Sequence, residues 1–232
     1  MIKKTALALA AISAGVSAQA QEAAKSDLSV TVDVTYVSDY VFRGVKLGDA
    51  SIQPSVEAAY GDFYAGAWHT SELSHSDGAT ETDLYAGYGY QLNDKVKLDG
   101  GVTAYTYNGG SNGDTVEGYV GVSVDVLLSP SVYGYYDFDL DVATVEASVG
   151  YSIPVDAINA SVDLSAKLGN VSAPGEDYTY GVAGVAIPYK LSETATLTVG
   201  ADYIVNDSSS KTGFSGDGDD IIVGKAGISI GF

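Results

Sequence analysis

Apolar and polar side chains alternate along most of this chain, from Leu28 to the last residue, Phe232. In residues 28–36, for example, every second position is apolar, and the positions between carry serine, threonine or aspartate. A period of two residues is typical of β-strands whose two faces meet different surroundings. Twelve such segments predict an all-β, antiparallel fold of about twelve strands, with ten or fourteen also open.

Two architectures place such strands differently. A transmembrane β-barrel turns its apolar rows outward to lipid, whereas a soluble sandwich or barrel turns them inward to a core. The apolar rows here consist mostly of valine, alanine and glycine, which are small for the core of a soluble protein. No stretch reaches the 18 apolar residues that would indicate a membrane-spanning helix. We therefore predict an antiparallel transmembrane β-barrel and keep the soluble fold as the alternative.

The start of the chain predicts export. Two lysines precede an apolar stretch that ends in the small-residue site Ala18-Gln19-Ala20, which is the pattern of a cleaved signal peptide over residues 1–20. Residues 21–27 follow as a polar leader, and the barrel is predicted over residues 28–232.

The end of the chain predicts assembly in a membrane. Lys225, Gly227, Ile230 and the terminal Phe232 resemble the C-terminal signal by which outer-membrane barrels are recognised for assembly. A strand that closes such a barrel needs an unbroken apolar row and an aromatic ring at the interface. We expect the barrel-assembly machinery to be a partner during biogenesis.

The connections between the predicted strands alternate between two kinds. Short turns, such as the one at residues 61–62, alternate with loops that are mostly longer and acidic or glycine-rich, such as 71–80, 169–177 and 206–219. Short periplasmic turns and longer extracellular loops are typical of outer-membrane barrels. Both termini then lie on the periplasmic side, which requires an even number of strands.

Composition excludes several functions. Without residues 1–20 the chain has 9 basic and 30 acidic residues, a net charge of −21, whereas nucleic-acid binding needs a basic surface. There is no cysteine, so disulfides and cysteine metal sites are excluded. We expect no cofactor and no nucleic-acid partner, and we expect outer-membrane lipids and lipopolysaccharide around the barrel.

The polar faces of the strands predict an acidic lumen. The candidates for a lumen or ion pathway are Asp33, Asp39, Arg43, Glu57, Glu81, Asp83, Glu117, Asp125, Glu146, Asp163 and Asp202. Carboxylates along a pore favour cations, so a conducting lumen should show a weak cation preference. Arg43 is the only arginine in the chain, and we expect it to pair with a lumenal acid such as Asp39, Glu81 or Asp83.

Two further patterns suggest other chemistry. His69 and Ser71 share one strand face, which invites a hydrolase hypothesis because a histidine can activate a hydroxyl group. A polar strand end that leads into a loop explains both residues equally well. The acidic run at 217–220 could bind calcium, but it lacks the spacing of an EF-hand loop, and an acidic loop is the simpler interpretation. We predict no metal and no catalytic residue.

Three segments resemble motifs of a known family: SDYVFRG at 38–44, GDFYAGAW at 61–68 and ETDLYAGY at 81–88. They are similar to the N-terminal motifs of the TorF family, bacterial outer-membrane proteins labelled as porins. The resemblance implies an outer-membrane barrel with a porin function, and it implies no particular solute. We therefore predict passive diffusion of ions or small hydrophilic solutes in a Gram-negative bacterium, or alternatively a structural or surface-interaction barrel without a pore.

Overall fold

Among the residues that the structure describes, twelve strands form a closed antiparallel barrel. The computed structural model describes residues 28–73, 80–108, 113–207 and 220–232. The predicted signal peptide and leader lie outside these residues. The strands are β1 Leu28–Val37, β2 Tyr40–Phe42, β3 Val45–Gly48, β4 Ser51–Tyr60, β5 Phe63–Glu72, β6 Thr80–Gln91, β7 Val96–Asn108, β8 Thr115–Val124, β9 Ser131–Asp137, β10 Val142–Val155, β11 Ala160–Ala173, β12 Glu176–Lys190, β13 Ala195–Asn206 and β14 Ile221–Gly231.

Each barrel strand pairs with its neighbours in sequence, and β14 closes the barrel on β1. Val34 of β1 pairs with Ile228 of β14 on one side and with Pro54 of β4 on the other. The strands β2 and β3 stand apart as a separate two-stranded hairpin between β1 and β4. The predicted twelve-strand barrel is therefore confirmed, and the hairpin is an addition that the alternation pattern did not reveal.

The apolar rows face outward. On β1, Val32 and Val34 are 37% and 41% exposed, whereas the intervening Asp33 is only 7% exposed. The same contrast occurs on β10, where Val145 is exposed and Glu146 is buried. The interior thus holds the polar rows, which is the reverse of a soluble core. The alternative prediction of a soluble sandwich or barrel is wrong. The described part of the chain contains no helix with the length and hydropathy of a membrane span.

The two ends of the barrel differ. Leu28 and Phe232 lie at one end, the terminal end, which also carries short turns and the 3₁₀ turn Asp156–Ile158. The opposite end, the loop end, carries the hairpin and the longer connections. One predicted loop, 169–177, is wrong: β11 continues to Ala173, and a two-residue turn leads directly into β12.

Candidate functional site

The hairpin β2–β3 folds into the barrel and contacts opposite walls. Its turn is Arg43-Gly44, and both residues have positive φ angles, 47° and 81°, as two-residue hairpin turns of type I′ require. Val41 packs against a buried cluster of Val37, Ile204 and Val223 from β1, β13 and β14. Hydrophobic contact with this wall explains why three apolar side chains point into an otherwise polar lumen.

The other face of the hairpin is aromatic. The Tyr40 ring lies 5.6 Å from the Trp68 ring of β5, measured between centroids, and Phe42 meets Tyr105 of β7 edge-on at 6.1 Å. The hairpin is therefore held between the β13–β14 wall and the β5–β7 wall, and it crosses the lumen near the loop end.

Arg43 at the hairpin tip forms a bidentate ion pair with Glu117 of β8. Its Nη1 lies 2.7 Å from Oε2 of Glu117, and its Nη2 donates to Oε1 at 2.8 Å. The guanidinium also lies between two rings, 4.7 Å from the Phe42 centroid and 4.6 Å from the Tyr135 centroid. The predicted partners Asp39, Glu81 and Asp83 are wrong, because the hairpin carries Arg43 past them to the far wall.

The electrostatics keep Arg43 charged. Burial disfavours the charged guanidinium, but the hydrogen bonds and the negative charge of Glu117 outweigh burial and raise the pKa of Arg43 above its ordinary value. Both side chains are almost inaccessible, at 9% and 3% exposed. The pair is therefore a fixed part of the lumen rather than a solvated surface contact.

Two more hydrogen bonds fix the hairpin. The Tyr40 hydroxyl donates to Oε2 of Glu81 at 2.8 Å, and Nδ2 of Asn206 donates to the carbonyl of Gly44 at 2.7 Å. Burial and the negative charge of Glu81 raise the pKa of Tyr40, so this hydroxyl keeps its proton. A Cβ at Gly44 would lie 2.5 Å from Cβ of Tyr180, so the turn approaches the wall too closely for any side chain.

Asp39 lies at the base of the hairpin rather than on the inner wall. The ammonium of Lys46 forms ion pairs with Asp39 and with Asp49, at 2.5 and 2.9 Å. Hydrogen bonds with these two carboxylates raise the pKa of Lys46. Lys46 is 39% exposed in this group, which marks it as a partly solvated edge of the hairpin.

A cavity of about 50 Å³ lies beside the hairpin tip, on the β4–β10 side of the lumen. Tyrosines and carboxylates line it together. Tyr64 donates to Asp99 at 2.9 Å, and Tyr133 donates to the other oxygen of Asp99 at 3.3 Å. Tyr85 donates to Glu57 at 3.1 Å. The hydroxyl groups thus hold the carboxylates in place around the cavity.

The opposite side of the lumen, on β11–β14, carries two ion pairs. Lys225 bonds both carboxylate oxygens of Asp202, at 2.9 and 2.8 Å. Lys167 lies 3.2 Å from Glu146 of the neighbouring strand. Asp163 accepts hydrogen bonds from two serines and makes no ion pair among the described residues. The lumen is therefore asymmetric: most of the inward rings line the cavity side, and the opposite side carries the two lysine–carboxylate pairs.

Most predicted lumen residues do face inward from the barrel wall: Asp33, Glu57, Glu81, Asp83, Glu117, Glu146, Asp163 and Asp202. Asp125, predicted on the inner face, instead lies exposed in the turn after β8, where its backbone N–H donates to the carbonyl of Lys95. Sequence reasoning missed the inward Asp137, which accepts from two backbone N–H groups. It also missed the inward tyrosines, although their positions within the polar rows were a usable signal.

The residues of the hydrolase hypothesis lie on the outer side of β5. Trp68 and Thr70 are buried in the lumen, so the alternating His69 and Ser71 face outward. Nδ1 of His69 lies 2.9 Å from Oγ1 of Thr82. No acidic side chain forms a hydrogen bond or ion pair with His69 among the described residues. In the described parts of the chain no cluster of side chains could hold a metal ion, and the acidic run 217–219 lies outside them.

The predicted assembly residues all lie on the closing strand or directly after it. Lys225 faces the lumen, and Gly227 lies against Thr35 of β1. Phe232 is 76% exposed at the terminal end, and its backbone pairs with Val30. A role of these residues in assembly stays a prediction.

Several solved structures share this fold. A structure titled KdgM porin superposes with a TM-score of 0.61 at 11% identity, over 87% of this chain and 99% of that chain. A NanC porin gives a TM-score of 0.59 at 15% identity, over 87% and 98%. The COG4313 outer membrane channel from Pseudomonas putida F1 gives 0.57 at 10% identity, over 90% and 97%. At these identities the likeness concerns the fold alone.

No curated protein matches this chain. The family model described as "Bacterial protein of unknown function (Gcw_chp)" matches residues 20–225, which include every barrel strand up to the middle of β14. The chain therefore belongs to the Gcw_chp family of bacterial proteins.

Proposed function

We propose that this barrel lies in the bacterial outer membrane and lets cations and small hydrophilic solutes diffuse through its lumen. The outward valine and leucine rows suit lipid, and every barrel strand except β9 has at least the ten residues that crossing a bilayer requires. Outward aromatic residues lie near both ends, as in the interfacial girdles of membrane barrels. They are Tyr60, Phe63, Tyr88, Tyr90 and Tyr189 near the terminal end, and Tyr36, Tyr136, Phe138 and Tyr203 near the loop end.

The cation preference rests on one observation, the excess of carboxylates on the inner wall. The lysines of the wall that form ion pairs are matched one to one with acids, as Lys225 is with Asp202. Further inward acids, Asp33 and Asp163 among them, have no cation within 4 Å among the described residues. Unbalanced carboxylates along a narrow pathway attract cations and repel anions.

Reversal potential in planar bilayers tests this directly. With a gradient of potassium chloride across the bilayer, the sign of the potential should indicate cation preference. Replacing Asp33 and Asp163 by asparagine should reduce it. The matched control is Asp125→Asn, which removes one carboxylate from an exposed turn and should leave the potential unchanged. Anion preference in the unmodified protein would contradict the proposal.

The hairpin favours a second candidate, a barrel without a conducting pore, because β2–β3 crosses the lumen. Replacing residues 40–48 by a short Asn-Gly turn distinguishes the two. A current in the unmodified protein that grows severalfold in this variant supports a channel with the hairpin as its constriction. A current in the variant alone supports the closed barrel.

The proposal includes export of the chain and its orientation in the outer membrane. Removal of residues 1–20 during export predicts a mature protein that begins at Gln21, which N-terminal sequencing of membrane-extracted protein would detect. We expect the loop end to be extracellular among lipopolysaccharide and the terminal end to be periplasmic. Protease cleavage of whole cells within the connections of the loop end, and not at the terminal end, would support this orientation.

A further inference from the structure

We propose that the cavity beside the hairpin tip binds a small organic cation of the guanidinium or methylated-ammonium class. The inference rests on the proposed function and deepens it, because it names a class of solute for the acidic lumen.

The cavity wall carries more negative than positive charge. Among the described residues that line the cavity, the one cation is Arg43, which is already paired with Glu117. The remaining carboxylates of the wall include Glu57 and Asp99, and neither forms an ion pair among the described residues; Lys97 of β7 attracts Glu57 only from beyond ion-pair distance. Their tyrosine partners provide hydrogen bonds but no positive charge. A mobile cation would therefore find an unbalanced site.

Arg43 shows which kind of cation this wall accepts. Its planar guanidinium lies over the faces of Phe42 and Tyr135 while its N–H groups bind a carboxylate. Aromatic faces attract cations through their quadrupole, and the attraction grows when water is excluded. The adjoining wall repeats the same combination of tyrosine rings and carboxylates, so it suits a second group of the same chemistry.

An unsatisfied acceptor lies in the wall of the cavity. Asp83 is 6% exposed, and its Oδ1 accepts no hydrogen bond among the described residues. Buried polar atoms are normally hydrogen-bonded, so such an oxygen calls for a partner. An N–H donor of a bound cation would provide it. Asp83 lies directly opposite Trp68 in the β5–β6 register.

The size of the cavity limits the ligand. About 50 Å³ holds roughly three to five water molecules at about 10–15 Å³ each. A guanidinium or methylated ammonium group has about that number of heavy atoms. A sugar is much larger and would require the hairpin to move.

Fluorescence of Trp68 provides a test that does not depend on conduction. Trp68 is the only tryptophan of the chain and lines the cavity, so its emission should report an occupant. We expect methylguanidinium chloride to change this emission in a saturable way in detergent-solubilised barrel. Methylurea, a neutral molecule of the same shape, should have no saturable effect. Equal responses to both molecules would overturn the proposal.

Variants locate the site. Asp99→Asn preserves the shape and an acceptor for the tyrosines, and it should weaken methylguanidinium binding about tenfold, equivalent to about 1.4 kcal/mol. The control Asp163→Asn removes an unpaired lumen carboxylate outside the cavity and should leave the affinity within about twofold. Equal weakening in both variants would mean general attraction by the acidic lumen and would refute a local site. Far-UV circular dichroism verifies that both variants fold.

The two proposals can fail separately. Saturable binding of methylguanidinium by a barrel that carries no current would refute the proposed diffusion of solutes but would support the binding site. A cation-selective current without saturable binding would refute the site alone.

Discussion

Removing the guanidinium of Arg43 should destabilise the barrel more than any change at an exposed ion pair. Arg43→Met leaves the carboxylate of Glu117, 3% exposed, with the Tyr105 hydroxyl at 3.1 Å as its one side-chain donor among the described residues. Breaking a buried ion pair by removing one partner costs about 3–5 kcal/mol, because the remaining charge is uncompensated. Loss of the cation–π contacts with Phe42 and Tyr135 further lowers the free energy of unfolding.

The measurement is urea unfolding of the barrel in lipid vesicles, with the free energy of unfolding compared between variants. The matched control is Lys46→Met on the same hairpin, where the cation is 39% exposed and its loss should cost about 0.2–1 kcal/mol. The double variant Arg43→Met with Glu117→Met should recover much of the loss, since it leaves no buried charge. Equal costs for Arg43→Met and Lys46→Met, or a double variant as unstable as the sum of the singles, would refute this reasoning.

Three further substitutions test the packing around the hairpin. Gly44→Ala should cost about 1–3 kcal/mol, because φ is +81° and the new Cβ meets Tyr180, and it should raise conductance by displacing the turn. Tyr40→Phe should cost about 1–3 kcal/mol in unfolding free energy, since Glu81 loses a buried donor. Gly121→Val should lower conductance, because the new side chain pushes the ring that covers this glycine into the lumen.

Outward positions provide controls for these three changes. Nothing lies within 4 Å of a Cβ built on Gly134, so Gly134→Ala and Gly134→Val on the outer face should leave the conductance unchanged. Tyr151 faces outward, and its hydroxyl forms no hydrogen bond with the described residues, so Tyr151→Phe should cost much less than Tyr40→Phe. Effects of equal size at inner and outer positions would show that the hairpin contacts are not the cause.

The barrel wall could be predicted from the sequence because its cause is local. A strand with lipid on one side and a polar lumen on the other must alternate with a period of two, and the alternation at 28–36 or 160–168 is visible without any partner. The prediction for Asp125 was wrong for a related reason. The alternation of β8 continues in the sequence past Val124, but the strand ends there and the chain turns.

The hairpin could not be predicted because its causes are distant in sequence. Its alternation is too short to distinguish a wall strand from a lumenal one, and Arg43 pairs with a residue 74 positions away. The inward-facing apolar residues Val37, Ile204 and Val223 are explained only by their packing against Val41 of the hairpin. The Arg-Gly turn was a signal that could have been read, since two-residue hairpins favour glycine at positions with positive φ.

Glycine and tyrosine together explain how a lumen with so many large rings keeps free space. Eight strands enclose an interior that side chains can fill, and twelve enclose more. Inward glycines lie beneath inward tyrosines: a Cβ at Gly66, Gly121 or Gly169 would collide with the ring of Tyr85, Tyr133 or Tyr180 respectively. A ring that covers a glycine lies along the wall instead of projecting from it. The glycines therefore preserve the cross-section of the lumen, and the hairpin, rather than the tyrosines, becomes the element that restricts it.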